Sequence, residues 1–330
     1  MSMFEFNEVY RPFRYPWAVE LAALHEKIHW IEDEAEVSRD VEVWASNLQP
    51  FERNMITHIL RLFTQSDVAV GASYINNLLP YIKNNEIRCM LASFVAREGT
   101  HQRAYALVND TLNLPETEWK AFLEFEQMKE KWEFMLNSYT PKAVRPELQV
   151  QTEVAWHLAK QTLMEGVMLF AAFIILLQFK LEGKMLGMGE VVEWSIRDES
   201  MHAEGLSKTF LTVLDEFPEI NTDEFRASIY QMARDIVSIE EAYIRLVFEM
   251  GSLPHLSCEQ AIQYTKFMTD YRLLQLGFKA NYEVDNPCEW ADYIISGRSL
   301  KNFFETRVTA YQKGGLTGTY AEGYDHYFGK

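Results

Sequence analysis

Two short patterns in this chain pair a carboxylate with an imidazole at helical spacing. Glu98 and His101 lie three residues apart, and so do Glu199 and His202. Each pair falls on a stripe that is otherwise largely apolar. One stripe runs Leu91, Phe94, Glu98, His101, Tyr105, Val108; the other runs Val192, Ser195, Glu199, His202, Leu206. Steps of three and four put each stripe on one helix face. Such a face is expected to be buried, and a buried carboxylate is costly unless it is paired, hydrogen-bonded or bound to a metal. A Glu and a His pointing the same way into a core can ligate one ion. A phenol one turn beyond the His, here Tyr105, would sit beside that ion.

A metal pair asks for more. Two such helices, plus one inward carboxylate from each of two others, make the carboxylate-bridged di-metal site of ferritin-like bundles. Asp67 is a lone acid on the stripe Leu60, Phe63, Asp67, Val70, Tyr74, and Glu165 on Leu158, Thr162, Glu165, Leu169, Phe173. The set is then Asp67, Glu98, His101, Glu165, Glu199 and His202, whose four carboxylates balance two divalent ions. Oxygen and imidazole ligands suit iron and manganese and do not select between them. Each member alone is weak evidence. Asp67 reads equally as a hydrogen-bonded buried acid, and Tyr105 as core packing. Glu26 and His29 form a third Glu-x-x-His, set aside as a half-exposed pair because its stripe runs into the acidic Glu32–Glu36. The joint arrangement on four helices carries the argument.

Those helices are legible. The pattern predicts helices over 17–30, 50–79, 85–113, 116–139, 146–181, from about 190 to 215, 222–251 and 257–280, with a loop over 32–40. Pro50 suits a first turn and Pro80 a stop. No strand or repeat is evident. The expected fold is all-α, a ferritin-like long-helix bundle. Residues 1–312 would form one helical domain with an irregular arm over 1–16. Residues 313–330 would form a flexible tail, given Gly314, Gly315, Gly318 and Gly323; a short helix is expected over 297–311.

Bulk properties narrow the partners. The 330 residues are enough for a sizeable core. A formal net charge of −17 argues against nucleic acid. Three cysteines without Cys-x-x-Cys give no disulfide framework, so a cytoplasmic location is expected. Residues 1–13 carry Glu5, Glu8 and Pro12 and no apolar run, so no signal peptide is expected. The longest apolar run, Val167 to Leu177, is too short to span a bilayer and reads as a buried helix.

Taken together, Asp67, Glu98-x-x-His101, Tyr105, Glu165 and Arg197-Asp198-Glu199-x-x-His202 resemble the radical-generating small subunit of class I ribonucleotide reductase. Trp30 ahead of Val37-Ser38-Arg39-Asp40 extends the likeness, which covers roughly residues 30–205. Asn302 to Arg307 adds a looser match. The resemblance implies a homodimer whose metal pair reacts with O2 and leaves a stable one-electron oxidant, commonly a tyrosyl radical, here on Tyr105. It implies transfer of that oxidant to a separate large subunit that reduces ribonucleotides, with Trp30 and Asp198 opening the route and His101 serving as both ligand and relay. A C-terminal tail would dock the large subunit and bring a relay tyrosine, Tyr311 first, with Tyr320, Tyr324 and Tyr327 as alternatives. An activating flavoprotein or ferredoxin is a further implied partner.

One departure stands out. Leu169 occupies a place where many members have Phe. The arm Tyr10-Arg11-Pro12-Phe13-Arg14-Tyr15-Pro16 resembles the branch with manganese–iron members, which often lack the radical tyrosine. Tyr105 is kept here, so di-iron is the first expectation, with manganese–iron and dimanganese open. The rival readings are a ferritin-like manganese–iron oxidase that binds a long apolar ligand, an iron-storage protein, and a purely structural helical protein. The oxidase would need neither Trp30 nor Asp198.

Overall fold

The structure, a computed structural model, describes residues 2–137 and 146–291. Among them no strand occurs. The chain from Met1 to Glu289 makes one compact unit. The expected 312/313 boundary, the 297–311 helix and the tail lie outside the described residues.

Helix α1 spans Pro16–Lys27, ending three residues before the expected Trp30. The stretch expected to loop instead holds 3-10 turns at Glu32–Glu34 and Val37–Arg39, the short α2 (Asp40–Glu42) and a π turn at Val43–Asn47. Asp40 then reaches across the sequence. Its two carboxylate oxygens accept from Gly187 N at 3.0 Å and Met188 N at 2.7 Å, capping a helix that begins 146 residues later.

The site-bearing helices follow. Helix α3 (Pro50–Ser73) begins with Pro50 at its first turn and with Glu52 accepting from Gln49 N at 2.6 Å. It runs directly into a π turn, Tyr74–Leu78. Helix α4 (Asn85–Thr111) is capped by Asn84, whose Oδ1 accepts from Glu86 N and Ile87 N at 3.0 and 3.1 Å. The helix expected over 116–139 is broken into α5 (Glu118–Ala121), a 3-10 turn and α6 (Glu126–Leu136).

The helix expected over 146–181 is also interrupted. It comprises a 3-10 turn at Pro146–Leu148, α7 (Gln149–Leu163), a π turn at Met164–Met168 and α8 (Phe170–Leu181). Its composition alone would pass for a membrane span, but its most apolar window is wholly buried inside the protein. Helices α9 (Leu186–Glu216), α10 (Asp223–Phe248) and α11 (Cys258–Gln275) complete the unit. At ~1.5 Å per residue α9 is about 46 Å long. Helix α4 packs between α3 and α9, α7 runs beside α9, and α1 lies across α4 and α9. The interior enclosed by α3, α4, α9 and the α7–α8 bend holds the six polar residues singled out above.

Candidate metal centre

Asp67 comes from α3, Glu98 and His101 from α4, Glu165 from the π turn between α7 and α8, and Glu199 and His202 from α9. Each is at most 1% exposed. The donor atoms form two overlapping clusters. Asp67, Glu98, His101 and Glu199 make one, and Glu98, Glu165, Glu199 and His202 the other, with atoms in each within 4.8 Å of one another. Glu98 and Glu199 are shared. Glu98 sets one oxygen 3.5 Å from His101 Nδ1 and the other 3.1 Å from His202 Nδ1. Glu199 does the same at 3.1 and 3.3 Å. Both carboxylates would therefore be within reach of two cations at once.

The far side of each imidazole fixes which nitrogen faces the cluster. His101 Nε2 lies 3.3 Å from Asp198 Oδ2, so it carries the proton and Nδ1 is the free donor. For His202 the chain is longer. Ser93 Oγ donates to Met90 O at 2.8 Å and so accepts from His25 Nδ1 at 3.2 Å. Neutral His25 then presents Nε2 to accept from His202 Nε2, 3.2 Å away. This tautomer assignment follows from the hydrogen-bond pattern. Both Nδ1 lone pairs therefore point at carboxylate oxygens, an arrangement that asks for a cation between them.

Other observations agree. Asp67 Oδ2, both oxygens of Glu98 and of Glu199, and His101 Nδ1 are buried without a hydrogen-bond partner. Burial pushes Asp67 well above the usual carboxylate range and Glu165 up to about 8, so the protein alone does not keep all four acids charged at neutral pH. Burial opposes charge on the imidazoles too, yet the adjacent carboxylates push both well above their ordinary value. The donor set fits a pair of oxygen- and nitrogen-loving divalent ions.

Tyr105 is 1% exposed and donates to Ser195 Oγ at 3.0 Å, while Ser195 Oγ donates to Val191 O. Phe63 packs 5.0 Å from the Tyr105 ring and equally close to Phe173, which in turn meets Phe170 at 5.6 Å. Leu169 is buried at the end of the π turn. Trp30 is fully buried just beyond α1, with Nε1 donating to Asp198 Oδ2 at 2.7 Å. The same oxygen accepts from Arg97 Nη1 at 2.8 Å. Burial works against the Asp198 charge, but His101, Arg97 and Arg197 hold its carboxyl well below the usual range. Glu26 and His29 are exposed, as set aside. Tyr311 lies outside the described residues.

Sequence reasoning missed three neighbours of the cluster. His25 is a lone polar residue on the α1 stripe Ala18, Leu21, His25, Ile28, all buried, and that pattern was the available signal. Trp194 packs 5.0 Å from Trp30, one turn of α9 before Asp198. Tyr74 donates to Glu165 Oε2 at 2.9 Å.

Comparison with known proteins agrees with this geometry. The profile of the family described as "Ribonucleotide reductase, small chain" matches residues 7–287. A probable ribonucleoside-diphosphate reductase small subunit of Invertebrate iridescent virus 3 is 35% identical, over 94% of this chain and 85% of that protein. Two solved structures share the fold. The ribonucleotide reductase R2 subunit from Clostridium botulinum has a TM-score of 0.79 at 22% identity, over 89% of this chain and 94% of that one. The dimanganese(II) NrdF of Streptococcus sanguinis has a TM-score of 0.73 at 15% identity, over 89% and 99%. The oxidase, storage and structural readings are not favoured by these matches, for with six side chains able to hold metal gathered in one core and a family profile that spans most of the sequence, the chain belongs to the small-chain family of ribonucleotide reductase.

Proposed function

We propose that in this ribonucleotide reductase small subunit Asp67, Glu98, His101, Glu165, Glu199 and His202 hold two metal ions, and that Tyr105 stores the oxidant made there. The observation that carries the reading is the pair Glu98 and Glu199, each with one oxygen toward each histidine. A reduced metal pair held by these residues would supply the electrons that O2 activation needs.

The chain's own residues do the rest. Burial pushes the Tyr105 phenol well above its ordinary pKa, so it keeps its proton until it is oxidised. Phe63 and the helix walls keep reductants away from it. Asp198 stays ionised in the core and accepts from Trp30 and His101 together, so it can hold the charge that appears when Trp30 loses an electron. Trp30, Asp198 and His101 thereby form the inner end of a route toward the surface.

As a small subunit the chain works with a large subunit, and the family typically assembles as a dimer. We place large-subunit docking on the segment after residue 312, with Tyr311 as relay, the cytoplasm as compartment, and a flavoprotein or ferredoxin as activator. Di-iron is the proposed pair, because Tyr105 is present to take the oxidant; manganese–iron and dimanganese use the same donors. The test is to load metal-free protein with Fe2+, Mn2+ or both under O2, then measure metal content and the EPR spectrum. Two metals per chain and a tyrosyl signal with iron alone support di-iron. A signal that requires manganese reassigns the pair.

A further inference from the structure

None of the roles above uses Tyr74. In the sequence it is one more position on the α3 stripe, yet it is fully buried and its hydroxyl is bonded to Glu165 Oε2 at 2.9 Å. Both partners sit where a helix widens. Tyr74 opens the π turn that ends α3, and Glu165 lies in the π turn between α7 and α8. Such turns shift side-chain register by one position and recur at functional sites. The other Glu165 oxygen accepts from Gln161 Nε2, which also donates to Val70 O at 3.3 Å, so the carboxylate is held from both sides. The Tyr74 ring meets Phe94 at 6.4 Å, and Phe94 packs 4.4 Å from His202. Tyr74 thus flanks the Glu165/His202 half of the cluster, while Tyr105 donates to a serine hydroxyl. Of these two phenols beside the cluster, Tyr74 is the one bonded to a carboxylate of the proposed ligand set, through the Glu165 Oε2 that also lies 3.1 Å from His202 Nδ1.

We propose that Tyr74 is a second oxidisable tyrosine of this centre. The proposal rests on the metal-site reading above. In the step, the phenol gives one electron to the O2-oxidised metal pair and its proton to Glu165 Oε2. The products are a neutral tyrosyl radical, a protonated Glu165 and a metal pair reduced by one electron. Tyr74 competes with Tyr105 for the oxidant and holds it when Tyr105 is removed.

The test compares Tyr105→Phe, Tyr74→Phe and the double variant. Each is loaded with Fe2+, exposed to O2, frozen and measured for metal content and EPR, with and without ring-deuterated tyrosine. Tyr105→Phe is expected to show a radical whose hyperfine pattern narrows on deuteration and whose yield falls at least tenfold in the double variant. 3-Fluorotyrosine placed at 74 in the Tyr105→Phe background should add a fluorine splitting, which keeps the test decisive if Tyr74→Phe folds poorly. Equal radical yield and line shape in Tyr105→Phe and the double variant, both with two metals per chain, overturns the proposal, as does a fluorinated protein without the splitting. Wild-type protein that takes up no metal overturns the metal-site reading itself, and is told apart by the metal analysis.

Discussion

Asp198 Oδ2 is the most heavily used atom around the cluster, with Trp30, Arg97 and His101 converging on it. Asp198→Asn keeps the size and removes the charge, which leaves the buried Arg97 and Arg197 without their carboxylate. Breaking a buried pair from one side costs about 3–5 kcal/mol, so a clear loss in thermal or denaturant stability is expected. Removing a group that orients a metal-binding imidazole typically costs about 10–100-fold in metal affinity or activity, and turnover with the large subunit should fall by that much or more. Tyr105→Phe is the contrasting change. It forfeits one hydrogen bond, to Ser195, worth about 0.5–1.5 kcal/mol, and should keep fold and metals. Full nucleotide reduction by this variant would move the stored oxidant off Tyr105. Glu165→Ala deletes a carboxylate of the His202 half and should lose at least one metal. Full occupancy measured in that variant would remove Glu165 from the ligand set.

The π turn Met164–Met168 aims Glu165 at the cluster, and widening a helix frees carbonyls that need other donors. Two buried cations supply them. Lys131 of α6 donates to Met168 O at 2.5 Å and Arg272 of α11 to Gly166 O at 3.3 Å. A Cβ at residue 166 would overlap the Arg272 side chain, which is why glycine stands there. Lys131 is balanced by Glu240 at 2.7 Å and sits 4.3 Å from the centre of the Tyr243 ring. Glu240→Leu alone should therefore cost about 3–5 kcal/mol, whereas Lys131→Met with Glu240→Leu should restore most of that stability. The double variant still leaves Met168 O without its donor. Chemical denaturation should find it near wild type while metal analysis finds the Glu165/His202 half under-occupied; full occupancy would show that the turn holds its own shape. This element also marks the limit of sequence reading. The long helices α3, α4 and α9 were legible because their apolar stripes run unbroken past a few polar residues. The break inside 146–181 was not, because helix propensity is continuous there and the donors come from α6 and α11, far along the chain. Asp67, Glu98, Glu165 and Glu199 stood out as acids on apolar faces. Tyr74 and His25 did not, since a tyrosine or lone histidine on such a face is ordinary core until its partner is known.

At the scale of the molecule, metal binding and folding are one equilibrium. Orphaned buried carboxylate oxygens weaken the metal-free fold, and ions that bind only the folded state add about 2.7 kcal/mol at a hundredfold excess over Kd. Chelation should lower Tm, and an unchanged Tm would mean the cluster is stable without ions. The centre lies wholly within the compact unit that ends at Glu289, so events beyond that unit can be separated from radical formation. An oxidant enclosed this deeply reaches a second protein only through intermediate side chains. In the proposed route Trp30 and Asp198 provide the inner ones, and a redox-active side chain near the partner provides the outer one. Tyr311 follows the family-like segment Asn302 to Arg307 and is the first choice. Deleting the residues after Thr309 should leave the Tyr105 EPR signal intact and abolish nucleotide reduction, because both docking and relay are removed. Tyr311→Phe divides the two roles. It should keep binding to the large subunit, measured directly, and stop reduction. Wild-type turnover in Tyr311→Phe would assign the relay to Tyr320, Tyr324 or Tyr327, and loss of binding in that variant would make Tyr311 a docking residue instead.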